Sequence, residues 1–394
     1  MREDDRRLDY CLNCTDCNAA CPVMKVLPNF PGPKALGPAL ERVRKEGIAC
    51  ETPWLEYCLG CHGCSMACPN QVNVSELLAN AKLQQPKHGR VAIRDRFFAR
   101  PDLLGKICST APALSHLLLS SPPNRWLMSK VLRIGAKRPF PRYHSPAVSL
   151  KANGASRKTI FFPGCFLRYN DPLLMQIIVD TLQSYGSVEI AQTACCGVPA
   201  LANGDRSQLF KDLRANVHAL SSNVQQGASI VTACSSCGHM LKAEYPRLLQ
   251  DDPQLSELAH SISEHTYDLA EFLLEVGDQR PAKAHEVSLR LAYHAPCHLK
   301  AQGIGRPWLQ ILRAIPGIAV QEIAAECCGM AGTFGFKEEK YQISMDIGEE
   351  LFTGIRDYDP DLAVSECATC CMQIEHGTSI QAVHPAEILH RALS

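Results

Sequence analysis

Cysteine is the residue type whose spacing could do chemistry in this chain. Cys11, Cys14, Cys17 and Cys21 form a CxxCxxCxxxC run closed by Pro22. Cys58, Cys61, Cys64 and Cys68 repeat it before Pro69, offset by 47 residues. Soft thiolates suit tetrahedral iron. Three cysteines at this interval wrap one face of a cluster, and the fourth ligates the other cluster of a pair. Cys11, Cys14, Cys17 and Cys68 are therefore expected around one [4Fe–4S] cluster. Cys58, Cys61, Cys64 and Cys21 are expected around the second. The proline after each fourth cysteine has no N–H and turns the chain away. Structural zinc and disulfides are the plainer alternatives. Zinc sites pair CxxC units or add histidine, which this run does not.

A second cysteine pattern fills the rest of the chain. Cys165, Cys195-Cys196-Gly197 and Cys234-x-x-Cys237 recur as Cys297, Cys327-Cys328-Gly329 and Cys367-x-x-Cys370. The offset is 132 residues for the first three cysteines and 133 for the last two. A fixed offset over five positions implies two similar domains.

The elements that must position these thiols read as strands alternating with helices. Thr159–Phe162, Val188–Ile190 and Ser229–Thr232 are short apolar or β-branched runs ahead of cysteines. Leu289–Tyr293, Ile318–Ile323 and Leu362–Val364 take those places in the second copy. Helices are expected over 173–184, 205–226, 308–315 and 338–355, with Asp205 as an N-cap. The alternation predicts parallel sheets with helices on their faces. Ligands then sit at the carboxyl ends of strands, where all ten cysteines fall. Glycine after each Cys-Cys pair permits the tight turn that aims two adjacent thiolates at one site. Ahead of this, a turn-rich Pro28–Lys34 loop, a short helix over 37–47 and a helix over 74–83 capped by Asn73 or Ser75 suggest an α-helical ferredoxin. The expected domains are 1–85 (ferredoxin), 86–158 (linker), 159–287 and 288–394 (the repeat).

Composition bounds the function. Hydrophobic residues make up 46% and charged residues 20%, which is ordinary globular material. Net charge is zero, so no overall field favours nucleic acid. Met1–Arg7 lacks an apolar stretch of the secretory kind, and no run is apolar enough to span a membrane. Cysteine abundance without export points to metal or redox work in a reducing compartment. Residues 86–146 depart from neutrality, with twelve Lys/Arg against Asp95 and Asp102. Apolar residues, Trp126 among them, interleave with these bases between prolines. Such basic amphipathic helices fit an anionic membrane surface or a linker packed on its neighbours.

The double CxxCxxCxxxCP joined to the Cys…CCG…CxxC repeat resembles iron–sulfur subunits of quinone-linked dehydrogenases whose CCG domains are of the heterodisulfide-reductase type. Phe30-Pro-Gly-Pro-Lys34, Gly164-Cys165-Phe166, Cys195–Pro199 with Ala202-Asn-Gly204, Tyr293–His298 and Cys327–Lys337 point within these to the iron–sulfur subunit family of anaerobic glycerol-3-phosphate dehydrogenases. The resemblance implies an α-helical two-cluster ferredoxin domain followed by two repeated α/β CCG domains with parallel sheets. It implies flavin-containing catalytic subunits as partners and menaquinone or another quinone as the acceptor. It places the chain peripherally on the cytoplasmic side of the bacterial inner membrane. It also implies non-cubane [4Fe–4S] clusters on Cys165, Cys195, Cys196, Cys234 and Cys237, and on Cys297, Cys327, Cys328, Cys367 and Cys370. Some members lack the counterpart of Cys234, and its presence here keeps thiol–disulfide chemistry open. Consistent with substrate oxidation by a partner, the chain has no Gly-x-Gly-x-x-Gly after a strand.

Two rival functions remain at this level. One is a disulfide-reducing enzyme acting at the CCG sets. The other is an electron-transfer subunit serving a glycolate- or lactate-oxidising flavoprotein. Cys50 and Cys108 read as small buried hydrophobes, and Cys371 as a competitor of Cys370. His294 and His298 bracket Cys297, suited either to hydrogen-bonding at that site or to packing.

Overall fold

Four-residue runs such as Lys158–Phe161, buried over their last three residues, have no solvent face to alternate with. They pair in parallel. The computed structural model describes residues 8–48, 50–85, 92–145, 158–276 and 284–394. The first sheet joins β1 (Lys158–Phe161), β2 (Ser187–Ile190), β3 (Ser229–Thr232) and β4 (Thr266–Asp268) in the order β2-β1-β3-β4. The second joins β5 (Leu289–Tyr293), β6 (Ile318–Glu322), β7 (Leu362–Val364) and β8 (Ala382–Val383) in the order β6-β5-β7-β8. Every pairing is parallel, and Thr159 sits between Val188 and Ser229 as Ala292 sits between Gln321 and Ala363. The two copies thus share one topology. β4 and β8, three and two residues long, carry no periodic signal that announces them in the sequence.

Helices connect the strands where the periodicity predicts them. They cover Pro172–Gln183, Arg206–Gln225, Pro307–Arg313 and Tyr341–Tyr358. The Asp205 carboxylate accepts from the Gln208 N–H at 3.1 Å, an N-cap. Asn73 takes the cap position of Val74–Gln84 without a side-chain bond, and the Ser75 hydroxyl is committed to His62. The two copies share a core. Phe161, Ile178 and Leu182 of the first pack in one cluster with Leu291, Trp308 and Leu389 of the second. The ferredoxin unit is helical, and its core of Val23, Phe30, Leu36, Leu55 and Leu78 continues onto Cys327 and Ile347.

The segment expected as a linker is a strap across both copies. The described part, 92–145, forms helices Ile93–Phe98, Pro101–Thr110, Pro112–Ser120 and Pro122–Leu132, the last three each opened by proline; 86–91 and 146–157, with Lys87 and Arg90, lie outside the described residues. Ile134 bridges to Lys337, and Phe98 and Phe336 share a cluster in the second copy. Gly105 lies against Tyr169, and Arg100 pairs with Asp205 at 3.0 Å in the first. Part of the positive charge turns inward. Arg94 pairs with Glu339 at 2.9 Å, Arg125 donates to the Gly135 carbonyl at 2.7 Å, and Arg138 is fully buried on Gly335 and Ser344. Buried guanidinium groups need such partners. Arg96, Lys106, Lys130, Arg133, Lys137 and Arg142 stay in solvent.

Candidate iron–sulfur sites

The strands deliver the cysteines. Cys165 follows β1, Cys195 and Cys196 follow β2, and Cys234 and Cys237 follow β3. Cys297, Cys327, Cys328, Cys367 and Cys370 hold the same places after β5, β6 and β7. Gly197 and Gly329 adopt φ of +101° and +85°, the left-handed turn their position requires. Cys165 and Cys195 Sγ lie 3.8 Å apart, and Cys328 and Cys370 Sγ 3.2 Å apart. None of the 21 cysteines is in a disulfide.

The thiols within each set share protons. Hydrogen bonds from Cys195 and Cys237 lower Cys196, while its neighbour Cys195 and burial raise Cys165. In the second set Cys297 and Cys328 lower Cys327, and Cys370 lowers Cys367. Cys370 is raised by its bonds to Cys328 and Cys367. Each set thus mixes thiols that ionise easily with thiols held protonated, and a bound metal would take all of them as thiolates. His294 is buried beside Cys328 and Cys370, their ligand atoms all within 4.8 Å. Neither of its ring nitrogens has a hydrogen-bond partner. A buried imidazole left this way is costly in a metal-free thiol nest. It fits a site where inorganic sulfide or thiolate accepts from it.

The ferredoxin thiols group across the two motifs. Burial raises Cys17, and Cys14, Cys11 and Cys68 raise it further. Cys21 is pushed up to about 11 by burial, with Cys58 adding to it. Cys64 is raised by burial and then by Cys58 and Cys21. Cys21 thus neighbours the second motif and Cys68 the first. Burial and then Cys327 raise Cys61, and Cys297 feels Cys61 in turn. The second motif therefore abuts the second CCG set. Lys82 donates to the Cys58 carbonyl at 3.4 Å. Lys340 donates to the Glu56 carbonyl, and burial with Lys337 and Lys82 lowers it to about 7.

Other residues sit differently from expectation, or give no sign in the sequence. The His298 ring is held between Ser236 Oγ at 2.8 Å and the Gly60 carbonyl at 2.9 Å, bridging domains rather than facing its own set. Cys50 and Cys108 are half-buried, because both sit on surface segments. The Cys371 thiol donates to the Ser365 carbonyl at 3.3 Å and lines a cavity between the copies. Asp102 of the strap accepts from the Cys195 N–H at 2.5 Å. Nothing in its sequence neighbourhood foretells that contact. His62, inside Cys61-His-Gly-Cys64, and His239, two residues after Cys237, carry one available signal, their nearness to cysteines.

A helical ferredoxin with crossed thiol groups, set against twin parallel-sheet domains with five thiols each, defines an iron–sulfur class of protein. Residues 7–72 match the family described as 4Fe-4S dicluster domain, and residues 159–242 and 291–375 the Cysteine-rich domain family. The chain is 34% identical to a subunit of the anaerobic glycerol-3-phosphate dehydrogenase of Escherichia coli over 99% of its own length and all of the relative. It belongs to that family of dehydrogenase subunits. Lactate utilization protein A of a Geobacillus species is 29% identical over 51% of this chain and 84% of the relative. A subunit of the fumarate reductase (CoM/CoB) of Methanothermobacter marburgensis is 27% identical over 58% of this chain and 44% of the relative. A crystal structure of a hypothetical protein from Helicobacter pylori covers all of this chain and 73% of its own at a TM-score of 0.50 and 10% identity, a likeness of fold alone.

Proposed function

We propose that the chain carries electrons from flavin-containing subunits that oxidise glycerol 3-phosphate toward menaquinone. The observation that carries this reading is the contact of the second ferredoxin motif with the second CCG set, Cys61 beside Cys327 and Cys297. It puts two thiol-rich sites in direct succession. Cys11, Cys14, Cys17 and Cys68 would hold one cubane, and Cys58, Cys61, Cys64 and Cys21 the other. Cys165, Cys195, Cys196, Cys234 and Cys237, and Cys297, Cys327, Cys328, Cys367 and Cys370, would hold non-cubane clusters. Bound clusters supply one-electron chemistry at potentials set by type, hydrogen bonds and burial. The protein's part is to bury the thiolates, aim His294 at one set and place Lys82 on the Cys58 carbonyl and Lys340 on that of Glu56. In the complex with its flavoprotein, adding glycerol 3-phosphate should produce the EPR signals of reduced clusters in this chain. Silence with glycerol 3-phosphate and reduction with lactate or glycolate would reassign the partner.

The strap is proposed as the surface that meets the cytoplasmic face of the membrane. Among the described residues no helix is long and apolar enough to cross a bilayer. Leu114, Leu117, Leu118, Trp126, Leu127 and Val131 are at least half exposed, with Lys106, Lys130 and Arg133 in solvent nearby in sequence. Apolar side chains enter the headgroup boundary while bases meet anionic lipid. Changing Leu117, Leu118, Trp126 and Leu127 together to serine should weaken binding to anionic vesicles at least tenfold, a loss of about 1.4 kcal/mol or more. Equal binding in a flotation assay would refute the surface.

A second reading has one observation in its favour. A cavity of about 270 Å³ opens between the copies onto Cys165, Cys234 and Cys237. Disulfide reduction there predicts turnover of a small disulfide with a low-potential donor. On the preferred reading there is none.

A further inference from the structure

One cluster of ligating side chains lies outside all the cysteine sets. His62 comes from the ferredoxin unit, and His239 and Glu244 from the chain that follows Cys237 in the first CCG domain. Nε2 of His62 and Nε2 of His239 face each other at 3.0 Å. Glu244 Oε1 is 3.8 Å from His239 Nε2, and the three ligand atoms lie within 4.8 Å of one another. His239 and Glu244 are 5% and 3% exposed.

The surroundings fix His62 and Glu244 in ligating orientation, and His239 is buried with its Nδ1 lacking a hydrogen-bond partner. Ser75 Oγ is 2.9 Å from His62 Nδ1, so an Nδ1–H donated to it leaves an Nε2 lone pair turned toward His239. Ser75 is itself held by Ser65, with the two hydroxyls 2.6 Å apart. Arg247 donates from both Nε and Nη2 to Glu244 Oε2, and Asn80 accepts from Arg247 Nη1 at 2.6 Å. That leaves Glu244 Oε1 to face the imidazoles. Despite burial, His239 and Arg247 hold the Glu244 carboxyl well below the usual carboxylate range.

We propose that His62, His239 and Glu244 bind a divalent first-row cation of the zinc class. Zinc bonds of about 2.0–2.2 Å in a tetrahedron put neighbouring donors about 3.3 Å apart. The observed 3.0 and 3.8 Å bracket that value. Two imidazoles and one carboxylate form a three-ligand set with one position open. The open position meets a cavity of about 70 Å³ lined by Lys82 and His298. His298 is a wall and not a ligand. It stacks on His239 at 5.2 Å, and both its nitrogens are taken by Ser236 and Gly60. A cation here pins the ferredoxin unit to the first CCG domain two residues from Cys64. The site is independent of which flavoprotein the chain serves.

The test uses the full chain purified without air, clusters in place. One equivalent of Zn²⁺ is added and the protein is desalted. About one zinc should be retained per chain, with a nitrogen/oxygen shell and no sulfur at the zinc K-edge. His239→Gln should lower zinc affinity at least tenfold with iron content unchanged. Failure to retain zinc, or sulfur in its shell, would overturn the site; so would equal retention by the variant. The wild-type edge spectrum decides the question even if the variant folds poorly.

Discussion

Cys21→Ser is expected to damage the cubane of the second motif and spare that of its own. Cys21 Sγ is raised by burial and then by Cys58, and it acts in turn on Cys64. The thiols acting on Cys17 are Cys14, Cys11 and Cys68. Each fourth cysteine sits past the short helix of its own motif, Asp16–Ala19 before Cys21 and Gly63–Met66 before Cys68, where a proline redirects the chain. Pro22 opens the next helix, Pro22–Val26. Losing one of four thiolates typically empties or distorts a [4Fe–4S] site, so about four irons should be lost per variant. The decisive measurement is EPR of the reduced protein for four serine variants. Cys21→Ser and Cys58→Ser should lose the same signal. Cys14→Ser and Cys68→Ser should lose the other. Pairing of Cys14 with Cys21, and of Cys58 with Cys68, would show that each motif closes on itself.

The repeat is legible in the sequence because thiol chemistry and sheet geometry agree. A ligand set must converge, parallel strands converge loops at one edge, and every cysteine of the repeat is written just after an apolar run. The short outer strands are not legible. Thr266–Asp268 and Ala382–Val383 are held by their neighbours in the sheet, not by a pattern of their own. The strap reads as a linker for a related reason. A basic residue looks solvated until its partner is known, and the partner of Arg94 is 245 residues away. Arg138, with no exposure at all, is satisfied by Gly335 and Ser344. Removing this segment would therefore open both CCG domains. Its surface has to be tested side chain by side chain.

The histidines show the same limit from the other side. His62 and His239 are 177 residues apart, and their contact depends on how the ferredoxin docks. Internal repetition gives no help. The second-copy counterpart of His239 is Met372, and the first-copy counterpart of His298 is Phe166. The copies share the thiol scaffold but differ in the imidazoles between them. The differences mark where each copy meets the ferredoxin.

The two Cys-Cys-Gly turns, alike in sequence, should respond unequally to alanine. Both glycines have positive φ, which costs an alanine about 1–2 kcal/mol. At Gly197 the added methyl would lie 2.9 Å from the Leu209 and Leu213 Cδ1 atoms, flexible side-chain ends that can shift. At Gly329 it would lie 2.1 Å from the Ser344 carbonyl oxygen and 3.1 Å from the Gly348 nitrogen. Those atoms belong to the helix Tyr341–Tyr358, and the Ser344 carbonyl already accepts from Gln373 at 3.0 Å. Backbone held at both ends cannot yield without moving Cys328. Gly329→Ala is therefore expected to cost more than about 4 kcal/mol, in the range of single changes that unfold a domain. It should also strip the second CCG set of its iron. Gly197→Ala should fall between that and Gly303→Ala, where φ is +70° and nothing lies within 4 Å. Denaturant midpoints and iron content of the three variants would check the order. Equal losses at Gly303 and Gly329 would mean that the helix does not press on the Cys-Cys-Gly turn as the structure has it.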